Sequence, residues 1–319
     1  MNTIHHQLMP PKLLYETLHK QIPSYIKNNY FIFDKKLGKG KFEYINLQEG
    51  LWVLQMNFEL NEPLKLIREA SETNNYFAIN FYLSSSEIIY ENKDSAKLGL
   101  NNVSILLNAA TAEIKMEIPA HTPIKIMNIG FTRQWLKKSL IEEKNTDKLE
   151  QLFLSDKPFY LSESLDYNFK NILNDLDLEK TSKLKLFSGT LQLLDYMVVK
   201  LNKREHENVI PENIHYHDFQ ELMKTRNNID EQLDESIPVE TLATQAGMSL
   251  SKYKRLFKQV FGTTPYQYYL NNRMEKAMDL LVHREHSVTE VGFLIGYTNL
   301  SQFTKAFKMH HGILPSEVK

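Results

Sequence analysis

The most legible chemistry in this 319-residue chain lies in one short run, Leu250-Ser251-Lys252-Tyr253-Lys254-Arg255-Leu256-Phe257-Lys258. At helical spacing Tyr253, Leu256 and Phe257 make an apolar stripe, and Ser251, Lys254, Arg255 and Lys258 lie away from it. An arginine fork donates two N–H groups that match the two acceptors of a guanine edge, and a lysine suits a phosphate or the same edge. Fifty residues later the run returns as Leu300-Ser301-Gln302-Phe303-Thr304-Lys305-Ala306-Phe307-Lys308. Phe303, Ala306 and Phe307 repeat the stripe, leaving Leu300, Ser301, Gln302, Thr304 and Lys305 for the other face. This second face is less basic. Its leucine and hydroxyls suit thymine methyls, or the whole copy serves to position the first. A charged helix face on its own is usually just solvated; the repetition argues for a reading surface.

Several elements must hold these faces. Gly262 and Pro265 recur as Gly312 and Pro315, and residues 239–247 match 288–296 at an offset of forty-nine, so the second turn is one residue longer. Gly247 and Gly296 stand where a helix stops and the backbone needs a positive φ. Ser249 and Asn299 suit N-caps, and Ser287 with Glu290 spells a capping box. Ala243 and Gly292, four residues before the turn glycines, leave room for a close helix crossing. Each copy therefore reads as helix, tight turn, helix, with the second helix suited to a major groove. Between the copies Thr264 and Pro265 open one long helix with Leu270, Met274, Ala277, Met278 and Leu281 on one face. Arg273 and Glu290 are expected to pair between helices and stay outside the reading set.

Upstream the texture differs. Residues 30–130 hold short aromatic and β-branched runs, such as Tyr76-Phe77-Ala78-Ile79-Asn80-Phe81-Tyr82-Leu83. Gly38, Gly40, Asn74-Asn75 and Asn101-Asn102 punctuate them, which predicts a β-barrel or sandwich. From about residue 132 the pattern turns helical. Over 181–203 Leu184, Leu191 and Val198 recur every seven residues, as do Phe187, Leu194 and Leu201, which predicts either a coiled-coil seam or a helix packed on the β-domain. Leu186 and Leu193 widen the stripe toward burial. Residues 204–220 are polar, contain Pro211 and read as a linker.

Net charge is −1, so bulk attraction to nucleic acid is excluded; residues 222–319 hold 12 Lys+Arg against 10 Asp+Glu. The absence of cysteine excludes disulfides, Cys-ligated zinc and thiol nucleophiles. No signal peptide or membrane-length apolar run is read, so a cytoplasmic place with no membrane partner is expected. His215-Tyr216-His217 lacks a neighbouring ligand cluster, and the only histidines before residue 200 are His5, His6, His19 and His121, so no metal or other cofactor is expected. Gly38-Lys39-Gly40-Lys41 lacks P-loop spacing and reads as a hairpin turn. Trp52, Phe58, Tyr76, Phe81 and Tyr82 either line a pocket or fill a core.

The repeat residues, among them Leu242-Ala243, Gly247-Met248-Ser249, Arg255-Leu256-Phe257-Lys258, Gly262-Thr263-Thr264-Pro265, Val288-Thr289-Glu290-Val291-Gly292-Phe293, Gly296-Tyr297, Ser301-Gln302-Phe303 and Gly312-Ile313-Leu314-Pro315, closely resemble the AraC/XylS family of bacterial regulators over roughly 222–319. The same motif occurs on cysteine-dependent DNA-repair proteins, but this chain has no cysteine. The N-terminal half distantly resembles the siderophore-responsive branch through Glu49-Gly50-Leu51-Trp52-Val53-Leu54 and Gly130-Phe131-Thr132 before Trp135-Leu136. The resemblance implies a seven-helix domain with two helix-turn-helix motifs and base contacts at the positions above. It also implies an attached effector or dimerisation domain, and activation through promoter DNA and RNA polymerase. The expected fold class is α+β. A β-rich, barrel-like sensor domain with flanking helices would occupy 1–203, a linker 204–220, and an all-α DNA-binding domain 221–319. A small-molecule effector and a homodimer are expected. Control by a protein partner is the alternative, and a DNA-tethered enzyme is disfavoured because no catalytic cluster is read.

Overall fold

The computed structural model describes residues 2–84, 89–90, 105–141, 152–204, 214–233, 235–284 and 286–318. The chain divides into two compact units, Met1–Gln220 and Glu221–Lys319. The Asn101-Asn102 turn and most of the expected linker, including Pro211, lie outside the described residues.

The first unit is built on two sheets. Strands β1 (Asn2–His6), β6 (Leu64–Arg68), β10 (Ile114–Ile118) and β8 (Ile89–Tyr90) form the smaller, in the order β1-β6-β10-β8. The larger runs β12-β9-β7-β11-β5-β4-β3-β2. Its strands are β2 (Ser24–Lys27), β3 (Tyr30–Phe33), β4 (Gly38–Gln48), β5 (Leu51–Leu60), β7 (Tyr76–Tyr82), β9 (Ile105–Ala109), β11 (Ile124–Thr132) and β12 (Tyr160–Glu163). Successive residues point to opposite faces of a sheet, so each central strand serves two interiors. Along β7, Phe77, Ile79 and Phe81 join one core, while Ala78, Asn80 and Tyr82 face a cavity. The core side is covered by helical residues, including Trp135, Leu152, Phe169 and Leu186. Helix α1 (Pro11–His19) contributes Leu14 and Leu18 to the cavity side. The N-terminal half is thus β-rich and barrel-like with flanking helices, as its composition implies.

Details depart from the sequence reading. Gly38 and Gly40 do not form a hairpin turn. They open β4, where an added Cβ would stand 2.3 Å from the carbonyl oxygens of Glu59 and Asn57, so close strand approach explains the glycines. β12 interrupts the region read as helical, paired to β9 from Tyr160↔Asn108 to Glu163↔Ile105. Asn74 does sit in a loop but is fully buried; its Oδ1 accepts from Thr111 N and Oγ1, and its Nδ2 donates to Ser155 O at 2.7 Å.

After the short helix α2 (Arg133–Leu136) and helix α3 (Tyr167–Asn174) comes α4 (Lys183–Lys203). Its two heptad columns face differently. Leu194 and Leu201 are buried in the core with Leu186 and Leu193, whereas Leu184 and Leu191 are 79% and 41% exposed. Helix α5 (Tyr216–Glu231) begins inside the segment expected as linker. Phe219 stacks on Tyr160 with ring centroids 4.4 Å apart, so apolar burial outweighs the polar composition there.

The second unit is helical: the remainder of α5, then α6 (Val239–Gln245), α7 (Leu250–Phe261), α8 (Pro265–His283), α9 (Val288–Leu294), α10 (Leu300–His311) and a 3-10 turn at Pro315–Glu317. No helix among the described residues is long and apolar enough to cross a membrane.

Candidate nucleic-acid interface

The two copies are built by the same local rules. Gly247 and Gly296 take φ of 62° and 81°, reversing the chain after α6 and α9. The backbone N–H of Met248 then donates to Ala243 O at 3.0 Å, and that of Tyr297 to Gly292 O at 2.9 Å. This satisfies equivalent carbonyls at equivalent helix ends. Ser249 caps α7 by accepting from Lys252 N, and Asn299 caps α10 by accepting from Ser301 N and Gln302 N. The Ser287–Glu290 box closes in both directions on α9, and its hydrogen bonds hold the Glu290 carboxyl below the usual range. Thr264 caps α8, with Pro265 in its first turn. The crossing of α9 with α10 depends on Gly292, where an added Cβ would meet Phe303 at 3.1 Å and Leu300 at 3.3 Å.

These caps aim the candidate residues. On α7 Ser251, Lys254 and Arg255 are exposed and Lys258 is half-buried, while Tyr253, Leu256 and Phe257 are buried behind them. On α10 Leu300, Ser301, Gln302 and Lys305 are exposed and Thr304 is half-buried, with Phe303 and Phe307 fully buried. Each set therefore lies on the outer side of its own helix. Phe257 packs on Phe261 of its own helix (4.4 Å), and both rings meet Tyr268 of α8 at 5.7 Å, fixing α7 to α8. The Tyr253 hydroxyl donates to Thr225 Oγ1 at 3.0 Å, fixing α7 to α5. Asp230 on α5 is buried; it accepts from the Tyr268 hydroxyl and Asn272 Nδ2 of α8, and pairs with Arg226 Nε at 3.1 Å. Burial pushes its carboxyl above the ordinary carboxylate range, with Arg226 opposing.

The second copy is held differently. Arg273 does not pair with Glu290, which is committed to its cap. Instead the buried Arg273 Nε donates to Ile295 O, the C-cap carbonyl of α9, at 2.7 Å. Its guanidinium lies over Tyr297 at 4.3 Å and Tyr269 at 5.2 Å. At the other end His310 Nε2 meets Glu275 Oε1 at 2.9 Å, and His311 Nε2 donates to Met274 O at 3.0 Å, tying α10 to α8. Ligand atoms of Glu275, His310 and His311 lie within 4.8 Å of one another, and each residue already has this helix-joining contact. Sequence reading missed both ties. The basic last turn of α10 was a usable signal for the histidines; nothing in residue type marked Ile295 as a partner. Between the copies stands α8, whose 19 residues span about 28 Å at the helical rise.

Comparison with known proteins agrees with this geometry. Residues 242–319 match a family described as a helix-turn-helix domain. Over 90 residues the chain is 33% identical to a probable transcriptional regulator, LumQ, of Photobacterium leiognathi, covering 28% of this chain and 36% of that one. Over 177 residues it is 30% identical to an uncharacterised HTH-type transcriptional regulator, YdeC, of Bacillus subtilis, covering 51% and 60%. The chain thus spans from about a third to three-fifths of the length of these relatives. A crystal structure of an AraC-type regulator from Chromobacterium violaceum is 27% identical, covering 32% of this chain and 92% of that one, with a TM-score of 0.30. The C-terminal unit carries a double helix-turn-helix domain. The matched residues, 242–319, fall within the stretch over which the sequence resembles the AraC/XylS family.

Proposed function

We propose that the chain is a sequence-specific, DNA-binding transcription regulator acting in the cytoplasm. The observation that carries the reading is the pair of capped helices, α7 and α10, presenting equivalent outer faces from one compact unit. On this reading Arg255 and Lys254 contact base edges in one major-groove segment, Lys258 and Ser251 contact its backbone, and Leu300, Ser301, Gln302, Thr304 and Lys305 meet a second segment. The relatives' names as transcriptional regulators favour the same role. The first unit senses an effector and carries self-association. A cavity of about 150 Å³ between its sheets supports the former. The exposed Leu184 and Leu191 of α4 support the latter, as two members of one heptad column outside the core, while its third member, Val198, packs against it. Activation through RNA polymerase at promoter DNA is the mode the family resemblance implies.

Footprinting of the full chain on genomic fragments tests the reading. Protection is expected at two segments about one helical turn, roughly 10 base pairs, apart. Affinity should also fall steeply with salt as counterions are released. Equal affinity for random and selected DNA at every salt concentration would overturn it.

A further inference from the structure

The first unit's cavity has a lining that points to one ligand chemistry. Its volume of about 150 Å³ matches that of an engineered apolar cavity that takes up benzene. Most of its wall is hydrocarbon, including Ile4, Trp52, Leu54, Phe58, Leu64 and Ile126. One stretch is not. Asn128 lies opposite Asn80 in the β11–β7 ladder, and Tyr82 follows two residues on, on the same face. Asn128 Nδ2 donates to Asn80 Oδ1 at 2.8 Å, which leaves the Asn80 amide presenting N–H groups. Tyr82 is 4% exposed, and its hydroxyl has no hydrogen bond among the described residues. Arg68 reaches in from β6 of the smaller sheet, 5% exposed, donating to Asn108 Oδ1 and at 2.9 Å to Ala112 O. Its charge is felt at the Tyr82 hydroxyl.

This end of the cavity therefore offers an O–H, amide N–H groups and a cation. A carboxylate supplies several acceptor lone pairs and the complementary charge. A sugar would bury hydroxyls against hydrocarbon elsewhere in the cavity, an amine would meet the Arg68 charge, and a plain hydrocarbon would leave Tyr82 unanswered. We infer that the cavity takes a compact apolar carboxylic acid, its carboxylate on Tyr82, Asn80 and Arg68 and its hydrocarbon body against Trp52, Leu54 and Phe58. The inference rests on the effector reading above and adds the ligand's class to it.

Calorimetric titration of the full chain tests it, with benzoate, 4-isopropylbenzoate and octanoate as acids, and 4-isopropylbenzamide, 4-isopropylbenzylamine and isopropylbenzene as controls. At least one acid is expected to bind about tenfold or more tightly than the amide, with the amine silent. Tyr82→Phe should weaken the acid about fivefold or more and leave isopropylbenzene unchanged. Ala78→Leu, which fills the cavity, should abolish all binding, and circular dichroism checks that both variants fold. Equal binding of acid, amide and hydrocarbon, or acid binding indifferent to Tyr82→Phe, would overturn the ligand class while leaving a ligand cavity. No binding by any probe would overturn the cavity as a ligand site. Tight acid binding with unchanged affinity for selected DNA would uphold the ligand class and overturn its role as effector.

Discussion

Replacing Arg273 by methionine isolates the tie that holds the second helix-turn-helix copy. Methionine keeps most of the aliphatic stem and removes the fork. The lost hydrogen bond is charge-assisted and buried, ending on the C-cap carbonyl Ile295 O at 2.7 Å. Such a bond is worth about 1.5–3 kcal/mol, and stacking over an aromatic face adds roughly 0.5–1 kcal/mol. Because the rings of Tyr297 and Tyr269 share one guanidinium, the terms do not add in full. A cost of about 2–3 kcal/mol remains, which corresponds to a roughly 30- to 150-fold larger opening constant. Tryptophan fluorescence cannot read this, since Trp52 and Trp135 both lie in the first unit. Hydrogen exchange of peptides covering 288–311 in the full chain can, with first-unit peptides as the internal reference. Exchange in 288–311 accelerated by less than about threefold would refute the reasoning. Full rescue by Arg273→Lys would show that the charge, and not the fork, makes the tie.

Other expectations follow from the same geometry. Leu191→Glu, at a position 41% exposed, should leave stability within about 0.5 kcal/mol but shift sedimentation toward monomer. Leu194→Glu, at 3% exposed, should instead unfold the first unit; self-association of a folded Leu191→Glu chain would remove α4 as the contact. Arg255→Ala should lose about 1–3 kcal/mol of base discrimination. Lys258→Ala should weaken all sequences alike and lower the salt slope by about 1; identical selected sites for wild type and Arg255→Ala would make Arg255 a positioning residue. Burial beside Arg68 holds the His6 imidazole down at about 4, against 6.5 for the open chain. The unfolded chain therefore binds the extra proton between these values, and first-unit stability should be full above about 6.5 and fall as the pH drops toward 4. His6→Gln should flatten that slope in urea melts followed by tryptophan fluorescence, and a slope unchanged by the substitution would contradict it.

What the sequence made legible was local. Turn glycines, the Ser287–Glu290 box and the caps Ser249, Asn299 and Thr264 act within a few residues of themselves, so residue type and spacing carry them. The buried stripes of α7 and α10 follow from period alone. What escaped was long-range. Heptad spacing groups Leu184 with Leu191 and Phe187 with Leu194, but only the core beneath α4 decides which members of each column are buried. β12 is a strand because β9 offers it a ladder, not because Tyr160–Glu163 alternates strongly. Gly38 and Gly40 carry the same letter as a turn glycine yet answer to the carbonyls of Glu59 and Asn57 across the ladder. Arg273 reads as an interhelix partner of Glu290 until a backbone carbonyl 22 residues away claims it.

The charge balance gives these positioning ties their weight. Residues 222–319 carry 12 Lys+Arg against 10 Asp+Glu, too small an excess for a general attraction to phosphate. A strongly basic domain tolerates a misplaced helix, because nonspecific attraction still holds it on the duplex. This domain has little of that reserve, so on the proposed reading its affinity depends on a few cations arriving at the right atoms. Of the candidate residues, α7 contributes Lys254, Arg255 and Lys258, whereas α10 contributes Lys305 alone. The second copy therefore gains less from electrostatics and more from fit, and fit is what Arg273, Gly292, His310 and His311 secure. Loss of the Arg273 tie should thus weaken binding at the second half-site more than removal of Lys305 does, although Arg273 is buried and stands outside the set proposed to meet DNA.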